Sequence, residues 1–184
     1  MSDSRFRAFS PQGPPESPPG NRDWVSLMCA ASRLAEENAE FDEVPVGALI
    51  VAPDGEILGS GANRVVRDSD PSAHAEILAI REACRRKNNF RLNGCVMIVT
   101  LEPCLMCAAA IRLARLSGVV FGCLDALEGA IVSRSDFIAL TGHKRHIWHL
   151  GGVLATRCAA LLTNFFNEKR RLDSGRSHER TGIS

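Results

Sequence analysis

Apolar side chains recur along the chain at two different spacings, and these spacings predict its secondary structure. From Trp24 to about Glu40 they recur every three to four positions, which indicates an amphipathic helix with Asp23 as its N-cap. Val44–Val51 is instead a continuous apolar run, typical of a buried strand. A Pro-Asp-Gly turn at 53–55 leads to a hairpin partner over Glu56–Gly61. The chain is therefore expected to open with a helix and two strands.

The rest of the chain alternates helical and strand patterns. Asp70-Pro71 favours a helix start, because a capping carboxylate precedes a proline that needs no amide donor. A strand, helix, strand order further on predicts a parallel crossover. The sum predicts an α/β fold in three α/β/α layers around a mixed five-stranded sheet. The predicted elements are a helix over Ser72–Lys87, a strand over Cys95–Thr100, a helix over Cys104–Leu116, a strand over Gly118–Gly122, a short strand over Ile147–Leu150 and a helix over Val153–Arg171.

Length and composition favour one folded domain. The chain has 184 residues, of which 45% are apolar and 23% charged, as in ordinary globular proteins. Residues 1–20 are rich in proline and are predicted to be a disordered tail, and 173–184 are polar and predicted to be frayed. The folded domain is expected over 21–172.

The charge and the cysteine content narrow the class of protein. A formal net charge of +1 means that any nucleic-acid contact must come from local patches. No stretch resembles a membrane span or a secretory signal, so we expect no membrane partner and a cytoplasmic location. The chain has seven cysteines, an odd number, and no recognisable export signal. Both features favour reduced thiols and metal ligation over disulfides.

Two short motifs open successive predicted helices: His74-Ala-Glu76 and Pro103-Cys-Leu-Met-Cys107. Together they match the H-x-E…P-C-x-x-C signature of zinc nucleobase deaminases. Cys104 and Cys107 are three positions apart, so both sulfurs lie on one face of a first helical turn, where free amides favour thiolates. Zn²⁺ accepts such nitrogen and sulfur ligands in tetrahedral geometry. We therefore predict His74, Cys104 and Cys107 as zinc ligands.

Three protein ligands leave one corner of a tetrahedron for water, as in catalytic zinc sites. Glu76 is predicted to be the catalytic proton shuttle, because helical spacing turns it away from the metal and towards this water. An alternative is a structural zinc site in an RNA-binding or scaffold protein, whose fourth ligand would be Cys84, Cys95 or Cys123. A second metal site at His143, His146 and His149 is a further alternative, although their loop context favours solvated or RNA-facing side chains.

At these residues the chain resembles the bacterial tRNA-specific adenosine deaminases of the cytidine deaminase superfamily, over about 24–171. The resemblance implies a cytidine-deaminase-like fold, one Zn²⁺ per subunit, a homodimer, and a hydrolase that acts on a cyclic amidine. Its expected reaction is conversion of adenosine to inosine at the wobble position of a tRNA anticodon loop. The motifs that carry it are Glu43-Val-Pro-Val-Gly-Ala48, Gly61-Ala-Asn-Arg64, Asp70-Pro-Ser-Ala-His-Ala-Glu-Ile77, Val99-Thr-Leu-Glu-Pro-Cys104, Val119-Val-Phe-Gly122 and Cys158-Ala-Ala-Leu-Leu-Thr-Asn-Phe-Phe166.

The same resemblance implies a substrate site. Asn63 would hydrogen-bond the purine, and Val44 and Ala75 would line the base pocket. Asp125 would contact the RNA backbone beside the flipped base. Neighbouring nucleotides would meet side chains of the last helix, namely Phe165, Lys169 and Arg170.

One segment departs from the family's usual sequence. Leu127-Glu-Gly129 stands where Lys-Thr-Gly is usual, and Val132-Ser-Arg-Ser135 where Gly-Ser-Leu-Met is usual. Glu128 places a negative charge near the expected path of phosphates. With the near-neutral net charge, these changes leave open an alternative function, a zinc-dependent deaminase of a free nucleobase or nucleoside of the guanine or cytosine type.

Overall fold

The structure is a computed structural model that describes residues 22–135, Phe137 and 147–180, with side chains undescribed at 173 and 175–180. The tail predicted over 1–20 lies outside the described residues. Within these ranges the elements are, in chain order, α1 (Trp24–Ala39), β1 (Gly47–Val51), β2 (Ile57–Ala62), α2 (Ala75–Lys87), β3 (Val96–Leu101), α3 (Leu105–Leu113), β4 (Gly118–Cys123), β5 (Trp148–Gly151) and α4 (Ala155–Arg180). No helix in these described ranges is both long and apolar enough to cross a membrane.

The strands form one sheet in the order β2-β1-β3-β4-β5. The β2-β1-β3 part is antiparallel, and β3, β4 and β5 run parallel. Every residue of β1 and β4 is buried, which accounts for their unbroken apolar sequences. The predicted mixed five-stranded sheet is confirmed.

Two glycines show how the helices divide between the faces of the sheet. Gly47 and Ala48 are neighbours on β1, and Ala48 is paired with Gly61, so Gly47 and Gly61 face opposite sides. A Cβ at Gly47 would lie 2.1 Å from the carbonyl oxygen of Ala31 in α1, and a Cβ at Gly61 would lie 2.3 Å from that of Ala75 in α2. The helices α1 and α2 therefore cover opposite faces.

The other two helices complete the outer layers. The helix α4 packs beside α1, where the Ser32 hydroxyl lies 3.9 Å from the Cys158 sulfur, and α3 packs beside α2. The predicted three-layer α/β/α architecture is confirmed. Its core is the doubly covered part of the sheet, and it places the beginnings of α2 and α3 side by side.

Three helix boundaries differ from the prediction. The α2 helix begins at Ala75 instead of Ser72, because Asp70 Oδ1 caps a separate turn by accepting bonds from the Ser72 amide at 2.8 Å and its hydroxyl at 2.7 Å. The α3 helix ends at Leu113, since Arg115 has a left-handed φ of 61°. The α4 helix continues to Arg180, so helical backbone replaces the first part of the tail predicted to fray from Asp173.

Gly47→Ala is expected to lower the free energy of unfolding by about 1–3 kcal/mol, since the new methyl group would meet backbone atoms of α1 instead of a movable side chain. Equilibrium urea unfolding measures this change. Ala160→Ser, at an exposed position of α4, is the control and should stay within about 0.5 kcal/mol. An unchanged unfolding midpoint for Gly47→Ala would contradict the close approach of α1 to β1.

Candidate active site

Three candidate metal ligands meet where α2 and α3 begin. His74 Nδ1 lies 3.8 Å from Cys104 Sγ and 3.6 Å from Cys107 Sγ. Nitrogen and sulfur ligands of a tetrahedral zinc ion are about 3.6 Å apart, given the usual Zn–N and Zn–S bond lengths. All three ligand atoms lie within 4.8 Å of one another. The arrangement therefore fits one zinc ion.

The helix ends explain why these side chains are available. His74 is the N-cap of α2 and Cys104 the N-cap of α3, and both have extended backbone with no side-chain cap hydrogen bond. Neither ligand atom therefore serves as a helix cap. Cys107, inside the first turn of α3, is fully buried beside them. The positive end of the α3 dipole favours thiolates at this place.

The two thiols share their protons unequally. A hydrogen bond from Cys107 lowers the pKa of Cys104 to about 4 and raises that of Cys107, while the bond to Cys104 raises the pKa of His74. Zinc binds thiolates and neutral imidazole, so its binding would release these protons.

The alternative of a fourth cysteine ligand is not supported. The cluster found among the described residues consists of His74, Cys104 and Cys107. The three other cysteines considered each direct their thiol to a backbone carbonyl: Cys84 to Phe90 at 3.7 Å, Cys95 to Asn93 at 4.0 Å, and Cys123 to Thr100 at 3.6 Å. Of the histidines considered for a second metal, His149 lies in β5, while His143 and His146 are outside the described residues.

Glu76 lies beside the cluster, in the first turn of α2. It is 4% exposed, and its burial raises the pKa of the carboxyl group to about 6. A carboxyl group with such a pKa can both accept and donate a proton near neutral pH.

The cluster opens into a cavity of about 670 Å³. This volume is typical of small-molecule sites in proteins. Its walls are mostly apolar, with the acidic side chains of Glu128 and Asp42 among the lining residues. The predicted residues that line it are Val44, Asn63, His74, Glu76, Cys104, Asp125, Phe165 and Lys169.

Comparison with known proteins places this site in a family. Residues 22–123 match the cytidine and deoxycytidylate deaminase zinc-binding region. The tRNA-specific adenosine deaminase of Haemophilus influenzae is 40% identical over 144 residues, which are 78% of this chain and 83% of the relative. The chain belongs to the tRNA-specific adenosine deaminases of the cytidine deaminase superfamily. The predicted zinc cofactor is confirmed by the matched zinc-binding region together with the three-ligand cluster.

Other relatives agree with this family assignment. The tRNA-specific adenosine deaminase of Aquifex aeolicus is 52% identical over 107 residues, 58% of this chain and 70% of the relative. A solved tRNA:A34 deaminase, from work on A-to-I editing at the wobble position, has a TM-score of 0.72 and 37% identity, and the match covers 75% of this chain and 99% of that one. The predicted cytidine-deaminase-like fold is thereby confirmed.

Asn63 is held in a defined orientation at the cavity wall. Its side-chain Oδ1 accepts a hydrogen bond from the Ala75 amide at 2.9 Å, which identifies Nδ2 as the remaining donor. That donor has no partner among the described residues. The backbone carbonyl of Asn63 accepts a hydrogen bond from Asn38 Nδ2 at 2.8 Å, so its backbone is held in place as well. The geometry leaves one amide donor for a bound base.

Two predicted substrate residues do not line the cavity. Ala75 is fully buried, and its backbone amide donates to Asn63 Oδ1. Arg170 is exposed on α4, where its guanidinium donates to Asn167 Oδ1 at 2.7 Å. The remaining five predicted substrate residues are brought together at the cavity.

Glu43 and Glu102 line the cavity as well, but sequence reasoning assigned them no role. They are 1% and 2% exposed. Glu43 Oε1 accepts bonds from the Val66 and Arg67 amides at 3.0 and 2.8 Å. The signal available in the sequence was an acidic residue flanked by apolar ones, which must find hydrogen-bond donors if it is buried.

Cys107→Ala is expected to reduce bound zinc from about one equivalent per chain to below ~0.1 after dialysis, because two ligands hold the ion far less tightly than three. Elemental analysis of the purified protein measures the zinc content. Cys84→Ala removes a thiol that is outside the cluster and should leave the zinc content unchanged. Equal zinc loss in both variants would contradict the assigned ligand set.

Proposed function

We propose that this protein hydrolyses adenosine to inosine at the wobble position of a tRNA anticodon. The observation that carries the proposal is the His-Cys-Cys cluster, which fits zinc and faces a cavity next to the buried carboxyl group of Glu76. The family relationship supports the substrate, because the similar proteins are tRNA-specific adenosine deaminases.

The reaction consumes one water molecule and releases ammonia. Zinc, when bound, supplies a water of pKa about 7 as the nucleophile. The Glu76 carboxylate accepts a proton from the attacking water and passes it to ring nitrogen N1 of adenine. The second proton of the water goes to the exocyclic amine. The C6–O bond forms, the C6–N bond breaks, and inosine remains.

The position of Glu76 suits this role. Its pKa of about 6 leaves the carboxylate mostly ionised at neutral pH, while its acid form stays accessible. Its burial excludes bulk water, so the proton is directed to the substrate. Its place in the first turn of α2, two residues after His74, keeps the carboxylate next to the metal ligands.

The base is held by few polar groups. We infer that Asn63 Nδ2 donates to an acceptor nitrogen of the purine, with Val44 packed against the ring. Ala75 acts through its amide, which orients Asn63. An unpaired loop nucleotide is the favoured substrate, since extruding a base from a duplex costs a few kcal/mol.

The α4 side of the cavity is proposed to meet the neighbouring nucleotides. The rings of Phe165 and Phe166 pack edge to face, with their centres 5.4 Å apart, and Lys169 Nζ lies 5.8 Å from the centre of the Phe165 ring. An aromatic ring beside a cation is a suitable stacking platform for an unpaired base. Arg170, exposed on the same helix, is proposed to contact a phosphate outside the cavity. Asp125, which lines the cavity, is proposed to contact the RNA backbone next to the flipped base.

We further propose a cytoplasmic homodimer. A tRNA substrate favours the cytoplasm. The α3 helix exposes three large apolar side chains: Leu105 is 55% exposed, Met106 37% and Leu113 66%. Helical geometry places them within an arc of about 100° around the helix axis. Such an apolar face supports a surface that a second copy would cover.

A purified enzyme is expected to convert the wobble adenosine of an anticodon stem-loop at least ~100-fold more efficiently, in kcat/KM, than free adenosine, guanine or cytosine, because small substrates lack the remote contacts whose binding energy assists the reaction. Chromatographic detection of inosine and of the other products measures the rates. Turnover of a free base with an inert stem-loop would instead support the free nucleobase deaminase considered as the alternative.

Glu76→Gln is expected to lower kcat on the stem-loop by about 10³-fold, because the amide cannot move the proton. Zinc content and the unfolding midpoint should remain close to those of the wild type. Glu82→Gln changes a carboxylate of the same helix that bonds the Ser60 amide away from the cavity, and it should leave kcat unaltered. Retained activity in Glu76→Gln would exclude it as the proton shuttle.

A further inference from the structure

Glu102 collects five hydrogen bonds from a single loop. Its Oε1 accepts from the amides of Ile131, Val132 and Ser133 at 3.1, 2.7 and 2.9 Å. Its Oε2 accepts from the Asp125 amide at 3.1 Å and from the Ser133 hydroxyl. The carboxylate is almost completely buried. One side chain therefore bonds to both ends of the segment 125–133, which we call the wall loop.

The wall loop is also joined to the segment that carries a metal ligand. The Ala130 amide donates to the Pro103 carbonyl at 2.9 Å, and Cys104 and Gly129 form an isolated β-bridge. A Cβ at Gly129 would lie 2.3 Å from Glu102 Oε2, so the loop can approach this closely only because position 129 has no side chain. Glu102 and the residues that follow it thus hold the wall loop directly against the first turn of α3.

The wall loop forms one side of the substrate cavity. Asp125 and Glu128 both line it. Asp125 Oδ1 accepts bonds from the Leu127 and Glu128 amides at 3.0 and 3.2 Å, so the conformation of this turn depends on where Asp125 is held. The Asp125 amide is in turn bonded to Glu102. Glu102 therefore holds both ends of this cavity wall, while the backbone contacts of Gly129 and Ala130 hold its middle against Cys104.

Stability alone does not account for such a residue. Burying a carboxylate is costly, and a well-packed apolar side chain of similar volume is often as stabilising. A fully hydrogen-bonded carboxylate does what an apolar side chain cannot, since it fixes the position of several backbone amides at once. The five donors also occupy both oxygens, which leaves Glu102 poorly suited to accept a proton from the substrate.

We propose that Glu102 is a positioning residue for deamination: it fixes the wall loop at the correct distance from the metal ligands, so that the target nucleotide fits between them. This proposal rests on the proposed function for its substrate. It assigns Glu102 an effect on substrate binding and no part in the chemical step.

Glu102→Gln tests the proposal selectively. The amide oxygen can still accept from the amides of residues 131–133, but its NH₂ group faces the Asp125 N–H, and two donors cannot bond. The start of the wall loop is expected to loosen, with an increase in KM for the stem-loop of about tenfold, as for one buried donor left unpaired. Zinc content should stay at one per chain, and kcat should change less than about threefold, because the ligands and Glu76 are untouched.

Two further variants separate positioning from a general loss of stability. Ser133→Ala removes the hydroxyl donor but keeps the four amide bonds, so KM should stay within about twofold of the wild type. Gly129→Ala keeps the carboxylate but pushes the loop away from it, and it should raise KM as Glu102→Gln does. Faster hydrogen exchange at the Asp125 amide should accompany the higher KM in both loosened variants.

The outcomes are distinguishable. An unchanged KM in both Glu102→Gln and Gly129→Ala would overturn the proposal, as would a loss of zinc or of kcat with KM intact. If the wild type acts on a free base instead of the stem-loop, the proposed substrate fails, and the same KM ratio on that base together with the exchange of the Asp125 amide still tests Glu102. If Glu102→Gln does not fold, Gly129→Ala carries the test.

Discussion

The convergence of an imidazole and two sulfurs on one point is the constraint from which the rest of the site follows. His74 and Cys107 belong to different helices, yet their ligand atoms are 3.6 Å apart. This distance requires α2 and α3 to begin at the same edge of the sheet. Close packing of α2 on β2 helps to place the beginning of α2 at this edge. The packing is close because Gly59 and Gly61 have no side chain; a Cβ at either position would collide with the backbone of α2. Small residues of β2 that are not ligands thus help to define where His74 lies.

The same edge combines two electrostatic environments. Inside the cavity the charged groups are mostly carboxylates, two of which, Glu43 and Glu102, are bound by backbone amides of loops. The cations Lys169 and Arg170 lie on α4, and Lys169 forms an ion pair with Asp42 at the cavity. A neutral base can enter such a cavity, whereas its phosphates are favoured outside the cavity, near Arg170. This division is consistent with a base that leaves its strand to react.

The zinc ligands and Glu76 could be predicted because their chemistry depends on local spacing. Cys104 and Cys107 are three positions apart, which places them on one side of a helix whatever the surrounding fold. Helix ends were less predictable. The sequence predicts Asp70 as a helix cap, but its carboxylate closes a turn before α2. The amide and the hydroxyl of Ser72, only two positions away, both donate to it. The apolar periodicity of α4 also fades well before Arg180, to which the described helix extends.

The sequence by itself determined the order of strands and helices along the chain and predicted the candidate ligands and Glu76, since these come from two short motifs in which the residues are two or three positions apart. Only the tertiary structure decided that the Ala75 amide bonds the Asn63 side chain, that Arg170 lies outside the cavity, and that Glu102 bonds the wall loop. The bonds of Ala75 and Glu102 join residues that are 12 or more positions apart in the chain, whereas the bond of Arg170 is local. Which donor reaches a buried acceptor over such a separation depends on how the layers pack, and no local periodicity records it.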